Sequence, residues 1–466
     1  MKKNKILFFS QNYADFQELS RTSILLKKNN FVSKIVSVTG DYFNYNNRKI
    51  KISFDVFDLL ILWKKSSLHF FLIQKPNKFK SLLVNIINKS IVLMNKYLGV
   101  NKIVNTFKFY KKSLNIITHI LIDFKPDAII LSEDVVGAVT PLIVKISKNF
   151  KIPVIIIPYT ICDELEAFET LEKIPEYNCK ILMNNFLSLI YPKWSKKKNV
   201  KLVRLPFNHI ISHIIFNITP PNPWMMLSGY SNYIFVESNK IKQYYVSRGI
   251  TINKIKVTGG IVDDEIYRIK KKKKYYLSML KKELGIKSNK PILLIGGCTD
   301  QSQNCPYGGF DFNDFKEFAD FFQNNLKKMV HNFEIIFRPH PNFNMFKENQ
   351  DFIKKTNIDI VKLIPLCDLY ISFASATIRW SILSSVPTIN YDVFNYKFDD
   401  YNNVNGLINI DNKVDFKKKL DLINKNLKFL KKQHFLLKES ALEFGRDDGK
   451  SSETIINEIN KIIRND

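Results

Sequence analysis

Three short strings carry residue types that can do chemistry. The first is Arg338-Pro339-His340-Pro341-Asn342, which follows the apolar-rich run 333–337 without a break. A strand that stops at Arg and His sets a cation and an imidazole at its carboxyl end, where open α/β sheets bind ligands. The second is Ser-Phe-Ala-Ser-Ala-Thr at 372–377, which places Ser375 and Thr377 just ahead of a predicted helix through Ile378, Arg379, Trp380 and Ser381. Hydroxyls at a helix start are either caps or phosphate ligands, because backbone N–H groups and the positive dipole end are free there. Capping is the simpler reading of one isolated serine. A cationic turn and a hydroxyl turn about one βα unit apart favour an anion held from two sides. The third string is Glu133-Asp134, directly after Ser132 at the end of the apolar run 128–131. Carboxylates half-buried at a strand's end cost free energy, and in transfer to a hydroxyl one of them removes the proton as the acceptor attacks. As pure structure they are an acidic helix start, favoured by the dipole.

The elements that position these residues alternate. Lys5 to Ser10 reads as a strand, Phe16 to Lys28 as a helix and Lys34 to Val38 as a strand, a βαβ opening. The turn after the first strand lacks G-x-G-x-x-G, so a dinucleotide cofactor is not indicated. Strand Ala128 to Leu131, helix Ala138 to Lys148 and strand Val154 to Ile157 follow, the last ending at Pro158-Tyr159-Thr160. Further on come strand Tyr233 to Val236, helix Lys240 to Arg248 and the turn Val257 to Gly260 with Asp263. A basic helix stopped by Gly285 reads as a linker. Strand Ile292 to Ile295 breaks at Gly296-Gly297 with Thr299 beyond, where a glycine break lets backbone N–H groups face a ligand. Strands Glu334 to Phe337, Leu369 to Ser372 and Thr388 to Tyr391 complete the alternation, with a helical stretch expected between the first two of these. A capped helix starting at Ser451 or Ser452, with Glu453 behind it, ends the chain.

Three intervals are less regular. From Leu59 to Ile122 lysines interleave with apolar residues at helical spacing. Such stripes either lie on an anionic membrane or cover one face of the sheet, and the covering role is preferred because an amphipathic stripe is first of all a core-facing one. Glu164, Glu166 and Glu169 form either an acceptor-contacting loop or a solvated helix start. Leu171 to Ser228 reads as irregular, with Trp224 in a rigid proline turn as a candidate exposed contact for an acceptor sugar or lipid, or else a core residue. His209 and His213 are four apart but have no third ligand or H-E-x-x-H pattern, so no metal site is expected.

Composition bounds the class. The 466 residues are 45% hydrophobic and 13% aromatic, enough for two domains with their own cores. A formal charge of +28, from 71 basic and 43 acidic residues, favours anionic partners; with no helix-turn-helix, zinc-finger or RNA-binding signature, nucleic acid comes last among them. Cys162, Cys179, Cys298, Cys305 and Cys367 are scattered without a C-x-x-C pair, which points to a reducing cytosol. The apolar core of the amino terminus is too short for a signal peptide. No long uncharged stretch suits a bilayer span.

RPHPN followed by SFASAT resembles the HP and Ser/Thr motifs in the nucleotide-binding domain of GT-B glycosyltransferases. The likeness is strongest to bacterial sialyltransferase-like enzymes, capsule and lipopolysaccharide Kdo transferases, and teichoic-acid glycerophosphotransferases. The resemblance implies an α/β chain of two Rossmann-like βαβ domains facing across a cleft. The acceptor domain would span 1–270, with a Lys-rich helical insertion near 60–122. A linker at 271–290, a nucleotide-sugar domain at 291–440 and a terminal helix at 441–466 crossing back onto the first domain would follow. It assigns His340, with Arg338 beside it, and Ser375 and Thr377 to the donor's phosphate, with Pro341 shaping the loop. Gly296, Gly297 and Thr299 then lie near the nucleotide. The Val-Thr-Gly-Gly turn is similar to one that precedes the linker in GT-B transferases and in UDP-GlcNAc 2-epimerases, which brings Gly259 and Gly260 to the donor. Glu133-Asp134-Val135-Val136-Gly137 resembles an acidic-acidic-Gly motif whose second acid is the base, so Asp134 is the first choice and Glu133 the second, although two valines intervene.

The activity so implied is metal-independent transfer, without a cofactor, of a CMP-linked acidic sugar of the nonulosonic or Kdo kind to a hydroxyl of a surface glycan, glycolipid or glycoprotein. The implied place is cytoplasmic, with a peripheral contact on the inner face of an anionic membrane left open. Three alternatives stand beside it: a UDP-GlcNAc 2-epimerase-like enzyme, a CDP-glycerol-type phosphotransferase and a non-catalytic basic membrane-surface protein.

Overall fold

Five of the six residues of β1 (Lys5–Ser10) are buried, so the strand reads as a continuous apolar run, the mark of a parallel strand covered on both faces. The computed structural model describes residues 3–74, 78–137, 139–158, 164–302, 305, 309–340, 343–346, 351–398 and 401–465. Ala138, Tyr159, Thr160, Cys162, Pro341 and Asn342, named above, lie outside them. Two compact units make up the chain: residues 1–157, 162–233 and 465–466 form the first, and 158–161 with 234–464 the second.

In the first unit β1 is followed by α1 (Tyr13–Lys28), β2 (Val32–Thr39), β3 (Tyr42–Tyr45) and β4 (Arg48–Lys51). Strands β2, β3 and β4 form an antiparallel meander. Asn46 and Asn47, at φ of 51° and 60°, make the tight turn between the last two, because asparagine tolerates the left-handed backbone that such turns require. Helices α2 (Leu59–Lys64), α3 (Ser67–Gln74), α4 (Lys78–Leu98) and α5 (Val100–Phe124) lead to β5 (Ala128–Leu131), α6 (Thr140–Asn149) and β6 (Val154–Ile156). The strands run in the order β4-β3-β2-β1-β5-β6. The chain therefore builds outward from β1 on one side and returns to β5 on the other, which makes the carboxyl ends of β1 and β5 a strand-order reversal.

The expectation that the interval 59–122 covers the sheet holds only for its last helix. Tyr110, Ile117, Ile120 and Leu121 of α5 are buried, whereas α3 and α4 bury only Leu72 and Ile91 and α2 buries no residue. The interval read as irregular is also built from elements. After α7 (Glu164–Glu172) come α8 (Leu182–Ile190), the antiparallel pair β7 (Ser195–Lys197) and β8 (Lys201–Val203), and α9 (Phe207–Ile215). Trp224 is buried against Phe168 and is no exposed sugar contact. Glu169 pairs with Lys198 at 3.3 Å. His209 and His213 sit beside Tyr110, whose hydroxyl lies 3.4 and 3.2 Å from a nitrogen of each ring.

The second unit opens with β9 (Tyr233–Val236), α10 (Asn239–Ser247), β10 (Ile255–Val257), α11 (Asp263–Lys271) and α12 (Lys273–Glu283). Its main sheet is entirely parallel: β11 (Ile292–Gly296), β12 (Glu334–Arg338), β13 (Ile353–Lys355), β14 (Leu369–Ser372), β15 (Thr388–Tyr391) and β16 (Leu407–Ile410), in the order β13-β12-β11-β14-β15-β16. The reversal falls between β11 and β14. The stretch after RPHPN, expected to be helical, instead contributes the edge strand β13 before α14 (Ile360–Leu363). Helices α13 (Phe315–Lys327), α15 (Ile378–Leu383), α16 (Lys413–Lys425), α17 (Lys428–Ser440) and α18 (Ser451–Asn465) complete the unit. Aromatic rings fill one face of the sheet; Tyr391 and Phe416 stack with centroids 4.4 Å apart and planes 12° from parallel. The start of α18 is capped from α11, since the Asp264 carboxylate accepts the Ser451 and Ser452 N–H groups at 2.9 and 2.8 Å.

Candidate functional site

In the second unit, β12 delivers Arg338 and His340, β11 ends at Gly296, and β14 leads into Ser375 and Thr377. Adjacent strands stand roughly 4.8 Å apart, so the two motif turns flank β11 at a separation that one ligand can bridge. The glycines are required by close approach. A Cβ on Gly296 would lie 2.4 Å from the Tyr370 hydroxyl, and one on Gly297 would lie 2.9 Å from the His340 backbone nitrogen. Gly297 N–H also donates to the Arg338 carbonyl at 2.9 Å, which ties the end of β11 to the end of β12.

The hydroxyls form a chain. Tyr370 Oη lies 2.7 Å from Thr377 Oγ1, which donates to Ser375 Oγ at 3.0 Å. Burial pushes the Tyr370 phenol up to about 12, so it stays protonated. Ala374 holds the turn with φ of 45°, a left-handed conformation costly for a residue with a Cβ, and its N–H donates to Asn390 Oδ1 at 3.0 Å. The expected hydroxyl-capped helix is not what the turn builds. α15 has six residues and no side-chain cap, and the hydroxyls bond to one another.

His340 is half-buried, and burial with the nearby Arg338 charge holds its imidazole below the usual range, so it is neutral near pH 7. Arg338 itself is turned toward backbone: its guanidinium donates to the Ile358 carbonyl at 3.3 Å and to that of Pro339, so it orders the turn rather than extending as a phosphate clamp. Thr299 is half-buried after β11 and accepts from Gln301 Nε2 at 3.0 Å.

Gly259 and Gly260, assigned above to the donor, pack elsewhere within the unit. Gly259 has φ of 84° and a Cβ there would lie 2.2 Å from Ser451 Oγ; one on Gly260 would lie 2.7 Å from Arg379 Nη2. Both are buried, and Gly260 N–H donates to Asp263 Oδ2 at 2.8 Å. Their lack of a side chain admits the start of α18 and the buried Arg379–Asp263 pair, so packing by itself accounts for both glycines.

In the first unit the reversal gathers acids. Asp134, expected as the base, is fully buried. Its Oδ2 accepts the Tyr230 and Ser231 N–H groups at 2.9 and 2.8 Å, and its Oδ1 accepts that of Ser228. Both oxygens are engaged by backbone, so this carboxylate organises the 228–231 loop and has no face left for an acceptor proton. Glu133 differs. It is 8% exposed and its pKa is pushed up to about 7, first by burial, then by Asp15 and Asp134, with Arg204 offsetting. Such a carboxyl is matched to proton transfer at neutral pH.

The sequence reading missed Asp15, Gln11, Thr140 and Tyr370. Asp15 is buried at the start of α1, accepts the Gln11 N–H at 2.7 Å, and is raised by burial. Gln11 in turn donates to Thr140. The signal was Asn12-x-x-Asp15, in which Asn12 Oδ1 accepts the Asp15 N–H at 2.9 Å.

Comparison with protein-family models and with curated proteins gives no match. Solved structures do match. A putative UDP-N-acetylglucosamine 2-epimerase from Listeria monocytogenes aligns with a TM-score of 0.51 at 12% identity, over 100% of this chain and 98% of that one. MnaA of S. aureus, in a co-structure with UDP, aligns at 0.50 and 10% identity, over 99% and 97%. The UDP-GlcNAc 2-epimerase of Neisseria meningitidis bound to UDP-GlcNAc aligns at 0.49 and 14% identity, over 98% and 100%. At such identities the likeness is one of fold: an α/β chain of two Rossmann-like sheets, parallel apart from the β2-β3-β4 edge of the first, of GT-B type, along its full length.

Proposed function

We propose that this chain is a nucleotide-sugar enzyme, UDP-GlcNAc 2-epimerase-like, that holds a UDP-linked sugar on its second unit. The observation that carries this reading is the gathering of Gly297, His340, Tyr370, Ser375 and Thr377 around the strand-order reversal of the second sheet, where open α/β sheets bind ligands. A neutral imidazole and the Ser375 hydroxyl, which ends the Tyr370–Thr377 chain, supply N–H and O–H donors for a phosphate that gains charge as the sugar leaves.

The uridine preference draws support from the S. aureus co-structure with UDP and the epimerase name of the Listeria neighbour. A CMP-linked acidic sugar has no comparable support. In the reaction a base takes the proton from carbon 2 of the sugar and that electron pair forms a double bond to carbon 1, as the carbon 1–oxygen bond breaks and its pair leaves with UDP. Water then adds its oxygen to carbon 1 and a proton to the opposite face of carbon 2, which gives the free epimer. Glu133 of the first unit, its carboxyl pushed up to about 7, suits both accepting and returning a proton. The same carboxyl would suit deprotonation of a hydroxyl acceptor, so glycosyl transfer is the second reading.

Purified protein incubated with UDP-GlcNAc alone separates the two. Release of UDP with a free sugar epimer, and no turnover of a CMP-linked sugar, is expected. UDP release that appears only when a hydroxyl acceptor is added moves the assignment to transfer, and failure to bind UDP at all removes both.

A further inference from the structure

Helices α2 to α4 leave a large apolar surface uncovered. Between residues 59 and 98, fourteen large apolar side chains are exposed, including Phe79 at 68%, Leu82 at 57% and Ile86, Leu93 and Tyr97 at 50% each. At 100° per residue these five residues of α4, with Ser90, fall within about 80° of arc. Ile91, the residue that α4 buries, lies on the other side. Lys78, Lys89 and Lys96 line up along one flank of the exposed stripe. α8, packed beside α4, adds Leu182, Phe186 and Leu189, all more than half exposed at one-face spacing.

Contiguous apolar surface on this scale marks an interaction site, and its charge says with what. Between Asp58 and Asp123, over residues 59–122, the chain carries eleven lysines and no acidic residue. A protein interface of this size would ordinarily mix both signs, whereas a surface that offers apolar groups and cations alone complements anionic headgroups over acyl chains. No described helix is long and apolar enough to cross a membrane, which leaves the interfacial geometry. Gly99 fixes how α4 meets the core: at φ of 61° it joins α4 to the sheet-covering α5, and a Cβ there would lie 2.2 Å from the Phe207 ring.

We infer that α2 to α4 dock this protein on the surface of an anionic bilayer, with α4 lying in the interface, its Phe79–Tyr97 stripe among the acyl chains and Lys78, Lys89 and Lys96 at the headgroups. The inference stands apart from the proposed reaction, and its test uses no substrate.

Flotation of the full chain with vesicles of phosphatidylglycerol and phosphatidylcholine in roughly equal parts, against phosphatidylcholine alone, reads it directly. The wild type is expected to float with the anionic vesicles, and less as salt rises. Each lysine near such a surface raises partitioning about fivefold, so the double variant Lys89→Glu, Lys96→Glu should bind at least ~20-fold more weakly. Phe79→Asp with Leu82→Asp should lose binding by about tenfold or more, while circular dichroism and melting temperature match wild type because these side chains are already in solvent. Wild type that stays unbound with anionic vesicles overturns the inference, as does equal flotation of both folded variants. A lipid-free dimer, broken by the Phe79/Leu82 variant and indifferent to vesicles, overturns it in favour of a second copy as the occupant.

Discussion

Glu133 and Asp134 are chain neighbours with opposite electrostatic surroundings. Three backbone N–H groups compensate the Asp134 charge, whereas Glu133 meets burial and two further acids. Asp134→Asn therefore forfeits acceptor capacity inside the fold and should cost about 2–3 kcal/mol, read as a lower urea midpoint. Glu133→Gln should leave the fold sound at neutral pH and lower turnover roughly 10²–10⁴-fold. The pH dependence follows from the raised pKa. Between pH about 4.5 and about 7 the folded chain holds a proton that the unfolded chain has released, so stability falls as pH rises through that window. The loss is on the order of 3 kcal/mol at most. Glu133→Gln removes this slope, and denaturation at pH 5 and pH 8 measures it; a variant with the wild-type slope would refute the assignment. His340→Ala, which deletes a neutral donor at the edge of the other site, should weaken UDP about tenfold by titration calorimetry. Pairing of an acid with an acid was legible in the sequence, but which one faces backbone was not, because Ser228 to Ser231 lie almost a hundred residues away.

At the scale of elements, one buried ion cluster holds much of the second unit together. Arg379 of α15 lies 3.0 Å from Asp263 of α11 and 3.6 Å from Glu237 after β9, and donates to the Phe444 carbonyl at 2.8 Å. Arg446 N–H closes the set on Asp263 at 3.0 Å. Removing one partner of a buried pair strands the other charges, so Arg379→Met should destabilise by about 3–5 kcal/mol. Adding Asp263→Asn to that variant should cost less than the sum of the two single changes, a coupling that a double-mutant cycle in urea detects. This cluster explains why the Val-Thr-Gly-Gly turn misled: a glycine needed for a ligand's approach and one needed for a buried guanidinium's approach look alike in sequence. The long strands were readable because buried parallel strands are unbroken apolar runs. β7, β8 and β13 were not, since three residues show no period. α4 was legible as an apolar-basic helix, yet apolar residues lie on two of its sides, and only packing decides which one faces solvent.

Over the whole molecule, a charge of +28 attracts any polyanion, so specific nucleotide binding has to be told apart from a diffuse field. Salt separates them. The field acts over a Debye length of about 10 Å at 0.1 M and roughly 3 Å at 1 M, while hydrogen bonds from a neutral imidazole and hydroxyls act at contact. The two chemistries are also in different units: the lysine-rich helices belong to the first and the His340 and Ser375 turns to the second. UDP at ~100 times its Kd should add about 2.7 kcal/mol of stability, which for a unit of this size raises its melting temperature by roughly 5–10 °C. That shift should persist in 1 M salt and shrink in His340→Ala, whereas vesicle flotation should fade in the same salt and be untouched by His340→Ala. Equal stabilisation by pyrophosphate and UDP, lost together at high salt, would mean that the strand-order reversal of the second sheet senses only charge, and the nucleotide site would have to be given up.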